Sequence, residues 1–543
     1  MALGRTRSVS IDGIRGHVVE IEADIASGLP GTALVGSADS SLTEARDRCR
    51  SAVVNSGGTW PNRRVTIGLS PASLPKTGAH YDLAIAIAVL AADGVVGADP
   101  LGEAVLLGEL ALDGRLRAVP GVLPATLGAA RAGMTKVLVP EANAAEAAQV
   151  SGMHVVGVRS LRHVVALLTG ADPPDDPPVE PLWHGGDVAW GPQDRLAGLD
   201  LRDVLGQEDA RFAVEVAAAG GHHLLLAGPP GAGKTMLAER LPALLPDLDA
   251  DERLEVSAVH SVAGVLQPDQ PLVRRPPFIA PHHSASMVSV IGGGSRLLRP
   301  GAASLAHHGV LFLDEAPEFN SGVLESLRQS MESGEVRIHR ARATAWFPAR
   351  FQLVVAMNPC PCGQDDLSCS CLPAARRRYR DRLSGPIRDR IDVQRVVRPV
   401  ARHQVLDQLA TPGSTAEVAA RVSAARHRQR SRLAGTPWRR NADVPGGELR
   451  RRWPLSGSVT AALSGRERAG RVSARGMDRI VRVAWTLADL RGASEPTGDD
   501  VAVALCLRDG TPLAGSRRPK ARQAASLDTR ASDRDGALDR AVL

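Results

Sequence analysis

Gly228-Pro229-Pro230-Gly231-Ala232-Gly233-Lys234-Thr235 is the stretch whose reading decides the fold. Its three glycines let the backbone curl so that N–H groups point inward at phosphate oxygens, while Lys234 reaches the outer phosphates and the Thr235 hydroxyl ligates magnesium. The flanks suit that use. His223-Leu-Leu-Leu-Ala227 reads as a short buried strand, and Met236-Leu-Ala-Glu-Arg-Leu241 opens a helix whose positive end faces the anion. Only four of the 65 basic residues are lysines (Lys76, Lys136, Lys234, Lys520), so a lysine at this position stands out. Downstream, Val310-Leu-Phe-Leu-Asp314-Glu315 describes a central strand delivering two carboxylates to its C-terminal edge. There Asp314 can hold magnesium and Glu315 can polarise the water that attacks a γ-phosphate. A third strand, Phe351-Gln-Leu-Val-Val-Ala-Met357, ends in Asn358, placed to report on that phosphate; read singly, an Asn before Pro359 is also an ordinary turn residue. The combination predicts a chain that binds and hydrolyses ATP with Mg2+.

At 543 residues, 44% apolar and 23% charged, the composition is that of a soluble globular protein of two to four domains. No apolar stretch approaches the twenty or so residues needed to cross a bilayer, and the longest, Leu83 to Ala92, fits a buried helix. The first residues, Met-Ala-Leu-Gly-Arg-Thr-Arg, lack an apolar signal segment, so the expectation is a cytoplasmic protein with no membrane partner. Aromatic residues make up 3%, which argues against rows of stacked bases as a binding device. Charge is uneven: Arg376 to Arg491 holds 27 arginines against 10 acidic residues, within a chain of net charge +6. Two readings of that asymmetry stand side by side, a polyanion partner such as DNA or RNA, and a solvated arginine-rich helical surface.

Alternating strand-like and helix-like segments between Asp200 and Arg398 predict a parallel sheet covered on both faces, with the phosphate loop and Asp314 at adjacent strand ends. Ala171-Asp-Pro-Pro-Asp-Asp-Pro-Pro-Val-Glu-Pro181 is too proline-rich and acidic to fold alone. Beyond Arg398-Pro399, Arg421 to Arg432 and Ala461 to Leu490 read as helices, and the end from about Leu513 is small and polar. The expected division is 1–170, a linker over 171–195, an ATPase core over 196–400, a helical region over 401–512 and a disordered tail over 513–543.

Several long motifs carry a resemblance. The phosphate loop, Ile279-Ala-Pro-His-His-Ser284, Ile291-Gly-Gly-Gly-Ser295, Ser304-Leu-Ala-His-His-Gly-Val-Leu-Phe-Leu-Asp-Glu-Ala-Pro-Glu-Phe319 and Ala356-Met-Asn-Pro-Cys-Pro-Cys-Gly363 together resemble the magnesium-chelatase-like AAA+ ATPases, and within them the YifB/ComM group, from about Ile11 to Leu507. The resemblance implies an α/β fold with a central P-loop AAA+ domain, a C-terminal helical lid and a homo-oligomeric, hexameric ring with ATP between subunits. In Ser384-Gly-Pro-Ile-Arg-Asp-Arg-Ile-Asp392 it points to Arg390 as the arginine supplied to a neighbour, with Arg388 as the fallback, and in Ser473-Ala-Arg475-Gly it points to Arg475 as the lid sensor. A guanidinium is always charged and can brace the charge that spreads during phosphoryl transfer. The family also carries a β-hairpin before the sensor strand, here Glu335 to Pro348, with Arg340 and Arg342 near a tip that could grip a phosphate backbone or stand exposed without a ligand.

The N-terminal region resembles instead the Lon-protease-like (ribosomal S5 domain 2-like) α+β domain, through Ser70-Pro-Ala-Ser-Leu-Pro-Lys-Thr-Gly-Ala-His-Tyr-Asp-Leu-Ala-Ile-Ala86, Gly108-Glu-Leu-Ala-Leu-Asp-Gly-Arg-Leu116 and Val137-Leu-Val-Pro-Glu-Ala-Asn143. Where the protease pattern has its serine this chain has His80, and where it has the partner lysine it has Ala125, so peptide hydrolysis is not expected.

Cys360-Pro-Cys362 and Cys369-Ser-Cys371 place four of six cysteines within twelve residues. In a reducing compartment that grouping favours a thiolate site for structural Zn2+, with reduced metal-free thiols as the alternative. The function expected first is an ATP-driven ring motor acting on DNA, and the family suggests branch migration or helicase work in DNA uptake and recombination. The runner-up is a chelatase-type remodeller of a partner subunit, and a nucleotide-gated scaffold comes third.

Overall fold

A computed structural model describes residues 3–36, 40–97, 101–179, 196, 198–294, 298–339, 344–364, 368–400, 413–457, 459–461, 463 and 472–513. Arg340 and Arg342, part of the linker, and all but the first residue of the expected tail lie outside them.

Five short strands form one parallel sheet, in the order Phe278–Ile279, Val310–Leu313, Gln352–Met357, Leu224–Ala227, Val393–Val396. The three central strands are almost wholly buried, as expected where helices cover both faces and a strand reads as a continuous apolar run. The order corrects one expectation. The phosphate-loop strand and the acidic strand are not neighbours, because Gln352–Met357 lies between them and pairs with both. Parallel strands are joined by crossovers that pass over the sheet face, so a later strand can enter between two earlier ones. The consequence is a closer site: Asn358 emerges from the middle strand, between the lysine and the carboxylates.

Helix Glu208–Gly220 packs against this sheet and carries on its other side the C-terminal helices Thr415–Arg432 and Ala474–Arg491. One hydrophobic cluster runs through Leu224, Phe312 and Val354 to Val422, Ile480, Trp485 and Leu505, so sheet and C-terminal helices share a core. A buried polar chain ties the same junction: His222 Nδ1 to Asp392 at 3.0 Å, His222 Nε2 to Thr486 Oγ1 at 2.8 Å, and Asn441 Nδ2 to Thr486 Oγ1 at 3.0 Å. The helix that begins at Ala474 is later than the segment expected from Ala461, and residues 464–471 lie outside the described set.

The N-terminal part is built on two larger sheets, beside the short antiparallel pair Glu109–Leu110 and Leu116–Arg117. Gly4–Asp12, Arg15–Ala26, Arg64–Ser70 and Gly31–Val35 form a mixed four-stranded sheet in that order, and Ala104–Leu106, Lys136–Pro140 and His154–Val158 form a parallel three-stranded one. Helix Asp82–Ala92, the apolar run seen in the sequence, is buried almost end to end. The start of the proline-rich segment is less free than its composition suggests: Asp176 is 5% exposed and accepts hydrogen bonds from Ser160 and Arg162.

Contacts of two kinds join this part to elements beside the five-stranded sheet. Helix Val122–Arg131 lies on helix Ala250–Ala263, where Gly121 N donates to Ser261 O at 3.1 Å and the buried Glu146 carboxylate accepts from Leu123 N at 2.9 Å, Asn143 Nδ2 at 3.1 Å and Ser261 Oγ. The other is the tight turn at Gly13, which has φ +60 and lies so close to the hairpin strand Thr344–Pro348 that a Cβ would fall 1.8 Å from Trp346 O. Beside it the Arg15 guanidinium stacks 5.0 Å from the Trp346 ring centre. Among the described residues no helix is long and apolar enough to cross a membrane.

Candidate active site

The phosphate loop runs from strand Leu224–Ala227 into helix Lys234–Arg240. Gly231 and Gly233 have φ of +73 and +90, which a side chain would resist, and a Cβ on Gly228 would fall 2.1 Å from Val397 O. Lys234 is 8% exposed and turns back into the loop, donating to Gly228 O at 2.8 Å, Pro229 O at 2.9 Å and Asn358 Oδ1 at 3.1 Å. Burial pulls its pKa down, opposed by the charges of Asp314 and Glu315. Its ammonium therefore sits in a place where anionic phosphate is the natural counter-charge.

Thr235 Oγ1 donates to Asp314 Oδ2 at 2.9 Å, so two hard oxygen donors lie side by side, the donor type that magnesium takes. Glu315 is one of two described non-glycine residues with positive φ, at +51, the other being His308. That backbone turn follows the strand end directly and leaves the Glu315 side chain exposed beside the half-buried Asp314. Strain of this kind costs of order 1–3 kcal/mol and gathers at functional sites. The loop lysine, Thr235, Asp314, Glu315 and Asn358 thus meet at the C-terminal edge of the sheet, where open α/β folds bind ligands.

Two residues of this site have no role assigned from the sequence, Gln207 in no motif and His283 inside Ile279-Ala-Pro-His-His-Ser284. Gln207, just before helix Glu208–Gly220, is 9% exposed and donates to Ala232 O at 2.6 Å and Arg398 O at 3.0 Å, bracing the loop against the chain beyond the last strand. His283 Nδ1 lies 3.5 Å from Glu315 Oε2, on the segment after strand Phe278–Ile279. For His283 the missing information was that strand Phe278–Ile279 pairs with the acidic strand, and for Gln207 that the phosphate loop and the chain beyond the last strand lie together.

Arg390 and Arg475 lie elsewhere. Arg390 donates to Pro386 O at 2.7 Å and pairs with Glu332 of helix Ser321–Ser333. Burial, with the nearby charges of Arg328 and Arg475, lowers its pKa. Arg475 is exposed in the first turn of helix Ala474–Arg491. The two arginines lie near enough for the charge of Arg475 to act on Arg390, while the hydrogen bond and ion pair of Arg390 run to Pro386 and Glu332 and not to the loop.

Much of the C-terminal positive charge is taken up within the chain. Arg382 pairs with Glu318 at 3.0 Å, Arg421 with Glu215 at 2.6 Å, Arg432 with Asp489 at 2.5 Å, Arg439 with Asp249 at 2.5 Å and Arg491 with Asp500 at 2.6 Å. Arg377, Arg378 and Arg380 of helix Pro373–Asp381 are exposed.

The sulfur atoms of Cys360, Cys362, Cys369 and Cys371 lie within 4.8 Å of one another. Cys360 is 1% exposed and burial pushes its thiol up to about 12, while the Gln364 backbone N–H holds the Cys362 thiol down at about 6. Glu255, His307 and His308 cluster as tightly, with both Nε2 atoms 3.1 Å from Glu255 Oε2. There the hydrogen bonds decide against a metal: His307 Nδ1 accepts from Arg350 N at 3.0 Å, so a neutral ring carries its proton on Nε2 and donates it to Glu255.

Comparison with known proteins covers this site and most of the chain. Residues 200–405 match the family described as magnesium chelatase, subunit ChlI, residues 21–143 match subunit ChlI of Mg-chelatase, and residues 413–508 match the ChlI C-terminal region. An uncharacterized protein of Mycobacterium tuberculosis is 49% identical over 95% of this chain and 100% of its own length. YifB of Escherichia coli is 41% identical over 90% of this chain and 94% of its own. The competence protein ComM of Haemophilus influenzae is 40% identical over 94% and 98%. Likeness of that extent, across the phosphate loop, the acidic strand and the C-terminal helices together, makes this chain a member of the magnesium-chelatase-like AAA+ family that includes YifB and ComM.

Proposed function

We propose that the chain hydrolyses ATP and uses the energy to drive a homo-oligomeric, hexameric ring motor that acts on DNA in the cytoplasm. The observation that carries the catalytic half is the convergence of Lys234, Asn358, Thr235, Asp314 and Glu315 at one sheet edge. In this reading the backbone from Gly228 through Pro229, Pro230, Gly231, Ala232 and Gly233 cradles the phosphates, and Lys234 balances their outer charge. Asn358 orients the γ-phosphate, and Glu315, steadied by His283, takes the proton of the attacking water as the bond between the β,γ-bridging oxygen and the γ-phosphorus breaks. Mg2+ held by Thr235 and Asp314 would supply charge neutralisation of the phosphate oxygens. Arg390 acts on the neighbour's nucleotide and Arg475 senses it from the lid. The four cysteines hold one structural Zn2+.

DNA is the polyanion that the exposed Arg377, Arg378 and Arg380, with Arg340 and Arg342 of the hairpin, would contact through phosphates. The Lon-like N-terminal domain is a platform and not a peptidase, since His80 lies against Val9 O at 2.9 Å and Ala125 is buried in the core. The competing reading, a chelatase-type remodeller acting on a partner subunit, keeps the same ATP site.

Phosphate release by the wild type and Glu315→Gln, each with single-stranded, duplex or forked DNA, separates these. Turnover lowered at least 100-fold in the variant is expected for a lost catalytic base. Several-fold stimulation of the wild type by one DNA form supports the DNA motor, and indifference to all of them favours a protein client.

A further inference from the structure

The thiol cluster lies against the nucleotide site. Cys360 follows the sensor residue Asn358 by two positions, and Gly363 N donates to Cys360 O at 3.0 Å to close a tight turn. Gly363, at φ +74, faces the phosphate loop so closely that a Cβ would fall 2.9 Å from both Cγ and Cδ of Pro230. After Cys371 the chain enters helix Pro373–Asp381, whose Tyr379 is buried in the core behind the acidic strand. Just beyond it Arg382 donates to Pro317 O at 3.2 Å and Glu318 at 3.0 Å, within four residues of Glu315. The cysteine segment therefore adjoins the sensor strand and touches the phosphate loop, and the helix that follows it leads to the turn after the acidic strand.

The sulfur geometry suits a metal and not a disulfide. Separations of 3.2 Å for Cys360–Cys362, 3.4 Å for Cys360–Cys369 and 3.7 Å for Cys362–Cys369 are far longer than an S–S bond of about 2.05 Å. They approach the edge of roughly 3.8 Å that a tetrahedron with Zn–S bonds of about 2.3 Å would have. Four soft sulfur donors fill every position of such an ion, which marks a closed structural site with no place for substrate.

We propose that Cys360, Cys362, Cys369 and Cys371 bind one zinc ion whose occupancy shapes the nucleotide site, so that losing the metal loosens the Gly363–Pro230 contact and the Asn358 strand end and weakens nucleotide binding. The metal site stands on the sulfur geometry alone, while its coupling rests on the nucleotide-site reading above. Without the ion, the sulfur atoms of Cys360, Cys362 and Cys369 are joined to one another by weak thiol contacts.

The full-length reduced protein tests both halves. Elemental analysis should find one zinc per chain, lost in Cys360→Ser/Cys369→Ser. Mercurial displacement with chelation should then weaken binding of a fluorescent ADP by tenfold or more, with recovery on adding Zn2+ and not Mg2+. Cys362→Ser alters an exposed ligand and serves where the double variant fails to fold. Gly363→Ala should keep its zinc and still bind ADP several-fold more weakly. Absence of stoichiometric metal, with no uptake of added Zn2+, would overturn the site. Zinc that can be removed with no change in ADP affinity would overturn the coupling. A zinc-loaded wild type with no affinity for ADP would overturn the nucleotide-site reading and the coupling with it, and the metal count would still support the zinc site.

Discussion

Acidification from pH 7.5 to pH 5 is expected to destabilise the sheet that carries the candidate active site, and the buried His307 ring supplies a definable share of the effect. His307 is 1% exposed, accepts from Arg350 N on Nδ1 at 3.0 Å and faces Glu255 through Nε2 at 3.1 Å. Protonating Nδ1 would set one N–H against another, at the entry to the strand that ends in Asn358. Burial lowers the ring's pKa from 6.5 to about 4. The unfolded chain takes up its proton near pH 6.5 while the folded chain resists until about pH 4, so the stability this group contributes is complete above 6.5 and is lost as pH falls between those values. At roughly 1.4 kcal/mol per pKa unit the loss reaches about 2 kcal/mol by pH 5. For a unit of ~200 residues that corresponds to a fall of about 4–8 °C in apparent Tm. The hydrogen bonds from His307 and His308 hold the Glu255 carboxyl below its usual range, and that contribution is lost only at still lower pH, as the carboxylate itself protonates. In His307→Asn the amide oxygen can still accept from Arg350 N and does not titrate, so the variant is expected to be less stable at pH 7.5 but to show a shallower decline. Thermal melts of both proteins across this range supply the comparison. Equal slopes, or a wild type that gains stability on acidification, would refute the reasoning.

Gln207→Ala should remove the brace between Ala232 and Arg398, at ~1 kcal/mol per lost hydrogen bond, and raise the KM for ATP several-fold with little change in kcat. Arg390→Ala should leave nucleotide affinity near wild type and lower turnover by about 1,000-fold; doping the variant into wild-type protein should depress activity more than in proportion to its share, and a proportional decline would argue against action on a neighbour. Glu146→Ala leaves Leu123 N and the Ser261 hydroxyl without their shared acceptor, and is expected to cost about 2–3 kcal/mol and to lower the apparent Tm, whereas an unchanged melt would show that the seat of the N-terminal part lies elsewhere.

The parts of the site that were legible in the sequence are those in which chemistry and local geometry coincide. The phosphate loop needs glycines at fixed offsets, and the acidic and sensor strands are short apolar runs with polar tips, so Lys234, Asp314 and Asn358 stand out without a structure. Strand order was not legible, because nothing in Gln352–Met357 itself says that it enters between two earlier strands. The roles of Gln207 and His283 were missed for a related reason: each acts through a tertiary contact, with Ala232 or with Glu315, and although His283 stands in a quoted motif nothing there says what it touches. The arginine excess could be counted in the sequence but not apportioned between surface and internal pairs. Composition counts Arg421, Arg439 and Arg491 as available charge, whereas the fold pairs them with Glu215, Asp249 and Asp500.

The most direct test of the nucleotide site is equilibrium binding of a fluorescent ATP analogue, with magnesium, to the wild type and to Lys234→Ala. The wild type should bind at micromolar concentrations or tighter, with displacement by ATP, and the variant should bind at least 100-fold more weakly while melting at a similar temperature. Equal binding by the two proteins, or none by the wild type, would contradict the assignment of Lys234 and Asp314 to one nucleotide.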